Sequence, residues 1–530
     1  MVLLVAHLPR HIAVKVVAIS MMFILFIMIP WMPSNQGAHE SDLWRALGQG
    51  KGIGSLFSRL DAQAAVGFYH PSGEDVSRRP TPTAAARGCS MCEMDPALCE
   101  ELGKSNIERS LVYSGTGLRL RRMASKLKRG GRLVHAIIGG SVSTGTNIDK
   151  DPSYGGREQQ YTNFNRIIFD RLNSLFPAPN GTVIGKNGRE EGKNSMINGA
   201  QGGTGSAYFS LCWGEHIPTD VDLVTIDSAV NDVPQLVTSV NSYETLARSL
   251  LELPSHPALL NMQVFSVGQH SMVNGGDMHI GVASWYDIPS ISQRNALHHT
   301  VLKNASLVPE LFSIGHDGKI DLRHASIKGH NILGRLGAAY VESQVCEMEK
   351  YEASIPNAAE MTLDQLYPVE PLPRMQLNHG YEEDFVLPPI RPQCFSTNSV
   401  KHPLVPIAAR SDLGSEAWHP WAWQNKKYLI TNTTGTKVQF QLETGSGHIG
   451  IQYQRSPTYG LGSVKCWVDG SEHQAVKVHG YWERPHHLSQ PATVKDGLKP
   501  GKHLLTCQLL DETQDPNGGK EFRLIAVTAA

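Results

Sequence analysis

The period of the apolar pattern changes partway along this chain, and that change constrains the fold more than any single motif. Between Ser105 and Lys350, short apolar runs alternate with helical patterns. Residues 134–138 read as a buried strand ending at Gly139-Gly140. Tyr161, Phe164, Ile168, Leu172 and Leu175 then recur at three- and four-residue intervals, one face of a helix. Residues 222–226 predict a second strand. Asn241 and Glu244 read as a capping box opening a helix through Leu246, Leu250 and Leu253, which Pro254 stops. Residues 264–267 suggest another strand and 327–340 a last helix. Strand and helix in alternation predict a parallel sheet covered on both faces. Seven prolines from Pro356 to Pro392 then break the pattern, as an interdomain linker does. Beyond them the period falls to two, at Val438-x-Phe440-x-Leu442, Ile449-x-Ile451-x-Tyr453 and Val476-x-Val478. Turn signals at Asp469-Gly470 and Asn517-Gly518-Gly519 separate these runs, the pattern of an antiparallel β-sandwich.

A chain of 530 residues is too long for one core, in keeping with that division. Its 48 basic and 49 acidic residues leave a formal charge of −1, which argues against a general polyanion or nucleic-acid binder. With 41% hydrophobic and 18% charged residues it is neither wholly disordered nor a polytopic membrane protein. Ahead of the folded region, Arg10, His11 and Lys15 precede an apolar run at 16–29 that Pro30, Trp31 and Met32 extend. Basic residues before such a run predict a cytosolic tail at 1–15, a signal anchor and transmembrane helix at 16–32, and a Gly/Ala/Ser/Pro-rich stem at 33–88. Cleavage near Gly37-Ala38 is the alternative. Either way the rest of the chain enters the secretory pathway, as a single-pass type II protein of the Golgi or cell surface, or as a secreted one. Eight cysteines suit disulfides in an oxidising lumen, and Cys466 and Cys507, both in strand-like runs, are candidates to join two strands. Cys89-Ser-Met-Cys92 is half of a zinc pattern without a second half, so a disulfide-tied lead-in fits better. Asn180, Asn304 and Asn432 head N-glycosylation sequons.

Chemistry is expected at the glycine clusters. Gly139-Gly-Ser141-Val-Ser-Thr-Gly145 follows the first strand but lacks the Lys-Ser/Thr of a P-loop and the spacing of a dinucleotide fingerprint. A nucleophile at a strand-to-helix turn is the other reading, with Ser141 exposed at the carboxyl edge of the sheet. Asp321-Leu-Arg-His324 offers a base and a carboxylate to orient it. Donors for an oxyanion stand at Asn198-Gly-Ala-Gln-Gly-Gly203 and at Asn231.

These four blocks, in this order, resemble the SGNH hydrolase (GDSL-like esterase/lipase) family, in which a Ser, a Gly, an Asn and a His come from successive blocks of one domain. Gly140 stands where many members have Asp, Ala229 replaces a usual glycine, and Gly202 rivals Gly203. The resemblance covers about residues 105–345 and implies a three-layer α/β/α, flavodoxin-like domain at 89–350. The linker then falls at 351–395 and the sandwich at 396–530. It implies Ser141 as nucleophile, His324 as general base and Asp321 as its orienting partner. The Ser141 N–H, the Gly203 N–H and the Asn231 side chain form the oxyanion hole. The cysteine-bearing lead-in and the C-terminal sandwich are also similar to large fungal and algal members of the secretory pathway. The expected activity is hydrolysis of O-acyl esters, O-acetyl above all, on glycans or wall polysaccharide, with no metal or organic cofactor. An O-acyltransferase using the same site, and a non-catalytic glycan-binding or wall-assembly protein, are the alternatives. Membrane contact runs through the anchor.

Five features have plainer readings. Ser141 also suits a helix cap, and Asn231-Asp232 a turn. His330 is a rival base, but Gly329 and the helical pattern after it suggest packing. The basic run Arg119, Arg121, Arg122, Lys126, Lys128, Arg129 and Arg132 surrounds Leu120, Met123 and Leu127 at helical spacing, a solvated amphipathic face. Five of nine tryptophans fall between Trp418 and Trp482, where sugar stacking and packing explain them equally well.

Overall fold

Apolar strands that do not alternate must be covered on both faces, and the central strands here are. The structure, a computed structural model, describes residues 88–148, 161–185, 189–232, 236–269, 271–387, 390, 392–407, 414–423 and 426–530. The expected tail at 1–15, anchor at 16–32 and stem at 33–88, apart from Gly88, lie outside these residues. Among the described residues no helix is long and apolar enough to cross a membrane.

Seven strands build the first sheet: β1 Leu111–Tyr113, β2 Val134–Gly139, β3 Thr182–Ile184, β4 Asn194–Asn198, β5 Leu223–Asp227, β6 Ala258–Gln263 and β7 Ser290–Ser292. Their order is β1-β7-β6-β5-β2-β4-β3. All pairs from β7 to β3 are parallel, and β1 joins antiparallel at the edge. Side chains of β2 and β5 divide between two cores. Ile137 and Leu223 pack with Phe164, Ile168 and Leu333 on one face. Ala136, Ile138, Val224 and Ile226 pack with Phe209, Tyr243 and Leu246 on the other. That division makes the three layers. A hairpin of β8 Phe312–Ile314 and β9 Ile320–Ala325 follows.

Four elements differ from expectation. The strand expected at 264–267 is β6, six residues earlier, because Asn261 and Gln263 interrupt its apolar run. Both are buried, and their amide N–H groups donate to Ser290 Oγ (3.1 Å) and the Gly276 carbonyl (3.0 Å), which gives these donors partners on neighbouring elements. The helix expected to open at Asn241 starts at Leu236 and runs to Leu251. Glu244 is therefore no capping residue; it is buried and accepts from the Tyr286 hydroxyl and the Leu377 N–H, each at 2.6 Å. Tyr161 lies exposed ahead of the helix Phe164–Leu175, which Asn163 caps. The last helix continues well past 340, spanning Ile327–Ser354.

Ten further strands form two antiparallel sheets: β10 Gln393–Ser396, β11 His419–Trp423, β12 Lys426–Thr431, β13 Lys437–Thr444, β14 Ile449–Arg455, β15 Ser463–Val468, β16 Val476–His479, β17 Leu488–Lys495, β18 Gly501–Leu509 and β19 Phe522–Ala529. One sheet runs β11-β12-β19-β14-β17 with β10 beside β19; the other runs β13-β18-β15-β16. Val438, Phe440 and Leu442 alternate inward, into one cluster with Ile451, Leu524 and Val527 of the other sheet. Cys466 and Cys507, register partners on β15 and β18, form a disulfide.

The two α/β and β regions share a core. Tyr208, Phe209 and Cys212 of the helix Ser206–Cys212 pack with Tyr428, Ile430, Ile525 and Ala526 of the sandwich. Cys212 is bonded to Cys394, and Gln452 Nε2 donates to the Ala207 carbonyl at 2.8 Å. Cys89–Cys346 and Cys92–Cys99 tie down the lead-in, so neither Cys89 nor Cys92 is a free thiol for metal.

Candidate active site

From β2 the chain passes to β3 and β4 on one side of the sheet and then to β5, β6 and β7 on the other. Such a reversal opens a crevice at the carboxyl ends of the strands. Ser141, the 198–203 loop and Asn231 follow β2, β4 and β5, three neighbours in the sheet. After Gly139 the chain does not enter a helix as expected. It coils through a run of turns, with Thr144 N–H bonded to the Gly140 carbonyl (3.1 Å) and Thr146 N–H to that of Ser141 (3.0 Å). Three asparagines and a carboxyl group pin this run from below. Asn163 and Asn198 donate to the Ser143 carbonyl at 3.0 and 2.9 Å. Asn165 Nδ2 donates to Ser143 Oγ (3.3 Å), which in turn donates to Asp227 Oδ2 (2.9 Å). Asp227 is fully buried, and burial, opposed by Ser143 and reinforced by Asp232, pushes its pKa up to about 7.

Ser141 Oγ lies 2.7 Å from His324 Nε2, and His324 Nδ1 lies 2.6 Å from Asp321 Oδ2. Residues three apart on a flat strand face opposite sides. Here the β8–β9 pairing jumps from Ser313–Asp321 to Phe312–Ala325, so residues 322–324 bulge and swing His324 round to the carboxylate. Asp321 also accepts from Asn147 Nδ2 (2.8 Å) and the Arg323 N–H (3.0 Å). Burial alone would raise its pKa, but the bond to His324, the His324 charge and Arg323 together hold it below the ordinary carboxylate value. His330, by contrast, is a core residue: it is buried, stacks on Phe164, and its Nδ1 accepts the Phe164 N–H at 3.3 Å. Burial and the nearby His324 lower its pKa to about 3, so its imidazole is neutral.

Asn231 is buried against the turn that carries Ser141, with Nδ2 donating to the Thr204 carbonyl at 2.6 Å. A Cβ on Gly140 would stand only 2.0 Å from that nitrogen, so the approach of Asn231 requires glycine where an aspartate is common in the similar family. Asp232 accepts from Ser206 N–H and Oγ at 2.8 and 2.6 Å, at the start of the helix Ser206–Cys212. Gly203 has φ +79° and Gly202 sits beside Ser141, its Cβ position 3.8 Å from that of the serine. Among the described residues, the N–H groups of Ser141, Gly202 and Gly203 have no hydrogen-bond acceptor. Free N–H donors on this turn and loop are the kind of group that a developing oxyanion needs.

Sequence reasoning missed the contribution of the sandwich. Ser489 N–H donates to the Gly203 carbonyl (2.9 Å), and Arg323 Nη2 to that of Pro485 (2.6 Å). A Cβ on Gly203 would lie 3.5 Å from Lys426 Nζ. No local pattern links residues more than 160 positions apart, so only the fold reveals them. Asn147 stands where a P-loop would have its Ser or Thr, and nothing in the sequence signals its bond to Asp321.

The basic run finds partners inside the chain. Lys126 pairs with Asp222 (2.5 Å), Lys128 with Glu352 (2.9 Å) and Arg122 with Asp364 (2.8 Å), while Arg129 donates to Ala358 and Met361 carbonyls. Trp418, Trp467 and Trp482 are buried and serve packing, whereas Trp423 on β11 is 43% exposed. Asn180, Asn304 and Asn432 are all exposed.

The fold is a three-layer α/β/α domain with a largely parallel sheet, carrying an antiparallel β-sandwich. No family model and no curated protein matches the chain. Among solved structures it is similar to a two-domain esterase active on acetylated mannans, at 18% identity and a TM-score of 0.50, covering 80% of this chain and 98% of that one. A putative GDSL-like lipase from Parabacteroides merdae matches at 10% identity and a TM-score of 0.30, over 40% of this chain and 96% of its own. The first of these likenesses is one of fold, and it extends through both domains.

Proposed function

We propose that the protein is a serine esterase that removes O-acyl groups, O-acetyl above all, from glycans. The observation that carries this reading is the unbroken chain from Ser141 Oγ through His324 to Asp321, at 2.7 and 2.6 Å, in the crevice of the parallel sheet. Ser141 Oγ attacks the ester carbonyl while His324 Nε2 takes its proton. The Ser141 and Gly203 N–H groups, with Asn231 Nδ2, receive the negative charge on the carbonyl oxygen. The tetrahedral intermediate then expels the sugar oxygen, which takes the proton from His324. Water, deprotonated by His324, attacks the acyl-serine, and the acid leaves as Ser141 recovers its proton. Asp321 holds the imidazole and stabilises its cationic form throughout. The activity of the fold relative on acetylated mannans supports a glycan substrate. The four disulfides suit a secretory or extracellular setting, and the same reading places the enzyme there, anchored through 16–32 and glycosylated at Asn180, Asn304 and Asn432.

Acetate release from acetylated mannan, xylan and a simple aryl acetate, by the parent and by Ser141→Ala, tests this. Release that disappears in the variant is expected. A folded parent that releases nothing from any ester refutes the hydrolase, and faster transfer to a sugar acceptor than to water would make the enzyme an acyltransferase.

A further inference from the structure

The margin of this site contributed by the sandwich is cationic. Lys426 opens β12 and reaches the oxyanion loop, its Nζ 3.5 Å and its Cε 3.9 Å from the Cβ position of Gly203. The His487 carbonyl borders the same glycine at 3.4 Å, and the His487 ring stacks on Tyr459 at 4.3 Å. Arg523 joins this cluster, its guanidinium 4.7 Å from the centre of the Tyr459 ring. Arg323, next but one to Asp321, closes the gap from the catalytic side through its bond to Pro485.

Two acids flanking this margin are already engaged. Asp321 serves His324, and Glu521 pairs with Arg523. No carboxylate among the described residues pairs with Lys426; its neighbours are the Trp423 ring and a second cation, Arg523. Burial first, then Arg523, lowers its pKa below the ordinary lysine value. Burial and then the charges of Lys426, Arg323, His486 and Arg523 lower that of His487 to about 4, and every charge acting on it is positive. A partly buried ammonium without a counter-ion is costly, and a bound anion relieves that cost. A chain with a net charge of −1 has concentrated cations beside its nucleophile.

We infer that Lys426 and Arg323 bind an anionic sugar, a uronate or a sulfated residue, next to the acylated one, so that the substrate is an acidic glycan rather than a neutral one. The inference rests on the esterase reading for its catalytic half, but not for its binding half. Trp423, exposed beside Lys426, supplies a face for the sugar ring.

Calorimetric binding of unacylated oligosaccharides tests the site without any turnover. Oligogalacturonate carries the carboxylate arm, sulfated manno-oligosaccharide the sulfate arm, and neutral manno-oligosaccharide the control. The parent should bind one of the anionic probes at least about tenfold more tightly than the neutral one at low salt, with the advantage shrinking as salt rises. Lys426→Gln should abolish that preference and Lys426→Arg keep it, which a merely structural lysine would not do. The corresponding acetylated oligosaccharides should show the same ratio in kcat/KM, and a ratio is insensitive to any shared damage at the oxyanion loop. Equal or tighter binding of the neutral probe overturns the inference, as does a preference that survives Lys426→Gln. Hydrolysis of aryl acetate by the same preparation separates that outcome from failure of the esterase reading.

Discussion

Asp321 carries more of the site than an orienting carboxylate needs to, because three groups converge on it. His324 Nδ1 and Asn147 Nδ2 share Oδ2, and the Arg323 N–H takes Oδ1. Asp321→Asn would present an amide to Nδ1 and favour the wrong imidazole tautomer, with an expected loss of about 10⁴-fold in kcat at unchanged fold. Asn147→Ala removes one bond to the charged oxygen and should cost about tenfold, read as kcat on an aryl acetate. Asp227 makes a pH prediction. Burial in the fold pushes its pKa up to about 7, well above the ordinary carboxylate value of 3.8. The folded state therefore holds an extra proton in that window. The stabilisation is full below about pH 4 and is lost as the pH rises through about 7. Asp227→Asn cannot ionise, so the melting temperature of the variant minus that of the parent should climb between pH 4 and pH 8. A flat difference would mean that Asp227 is ionised in the fold.

Among the elements, the local ones were readable and those defined by distant partners were not. β2 and β5 are short, mostly apolar runs buried along their whole length and lie within a residue of expectation. The alternating strands around 438–442 and 449–453 also form, because one buried face imposes a period of two. β6 was missed since its Asn261 and Gln263 look like loop residues until their partners on neighbouring elements are known. The same applies to Glu244, which resembles a cap and is instead held by Tyr286 and by the 355–392 segment. At the site, the identities of Ser141, His324, Asp321 and Asn231 were legible as motifs. The bulge that joins Asp321 to His324 was not, because register belongs to the pair of strands. The 182-residue separation closed by Cys212–Cys394 gives an element-scale prediction. Cys394→Ser with Cys212→Ser should lower stability by about 2–5 kcal/mol, measured by denaturant unfolding.

At the scale of the molecule, the sandwich is part of the active site's support. Its sheet covers Tyr208 and Phe209, and its β17 edge holds the Gly203 carbonyl through Ser489. A chain ending at residue 350 would expose that shared core and lose the clamp on the oxyanion loop. Such a truncation should be poorly soluble and inactive on aryl acetate, an ester too small to need a sugar-binding surface. An active, monomeric 89–350 fragment would show instead that the sandwich serves only to bind glycan.

The central claim is that Ser141 is a nucleophile activated by His324. Peptide mass spectrometry after treatment with a fluorophosphonate reads this directly, since only an activated serine is phosphonylated. One adduct on the peptide containing Ser141, lost in Ser141→Ala and strongly slowed in His324→Ala, is the predicted result. A folded parent that takes no label, or takes it on another residue, would contradict the account.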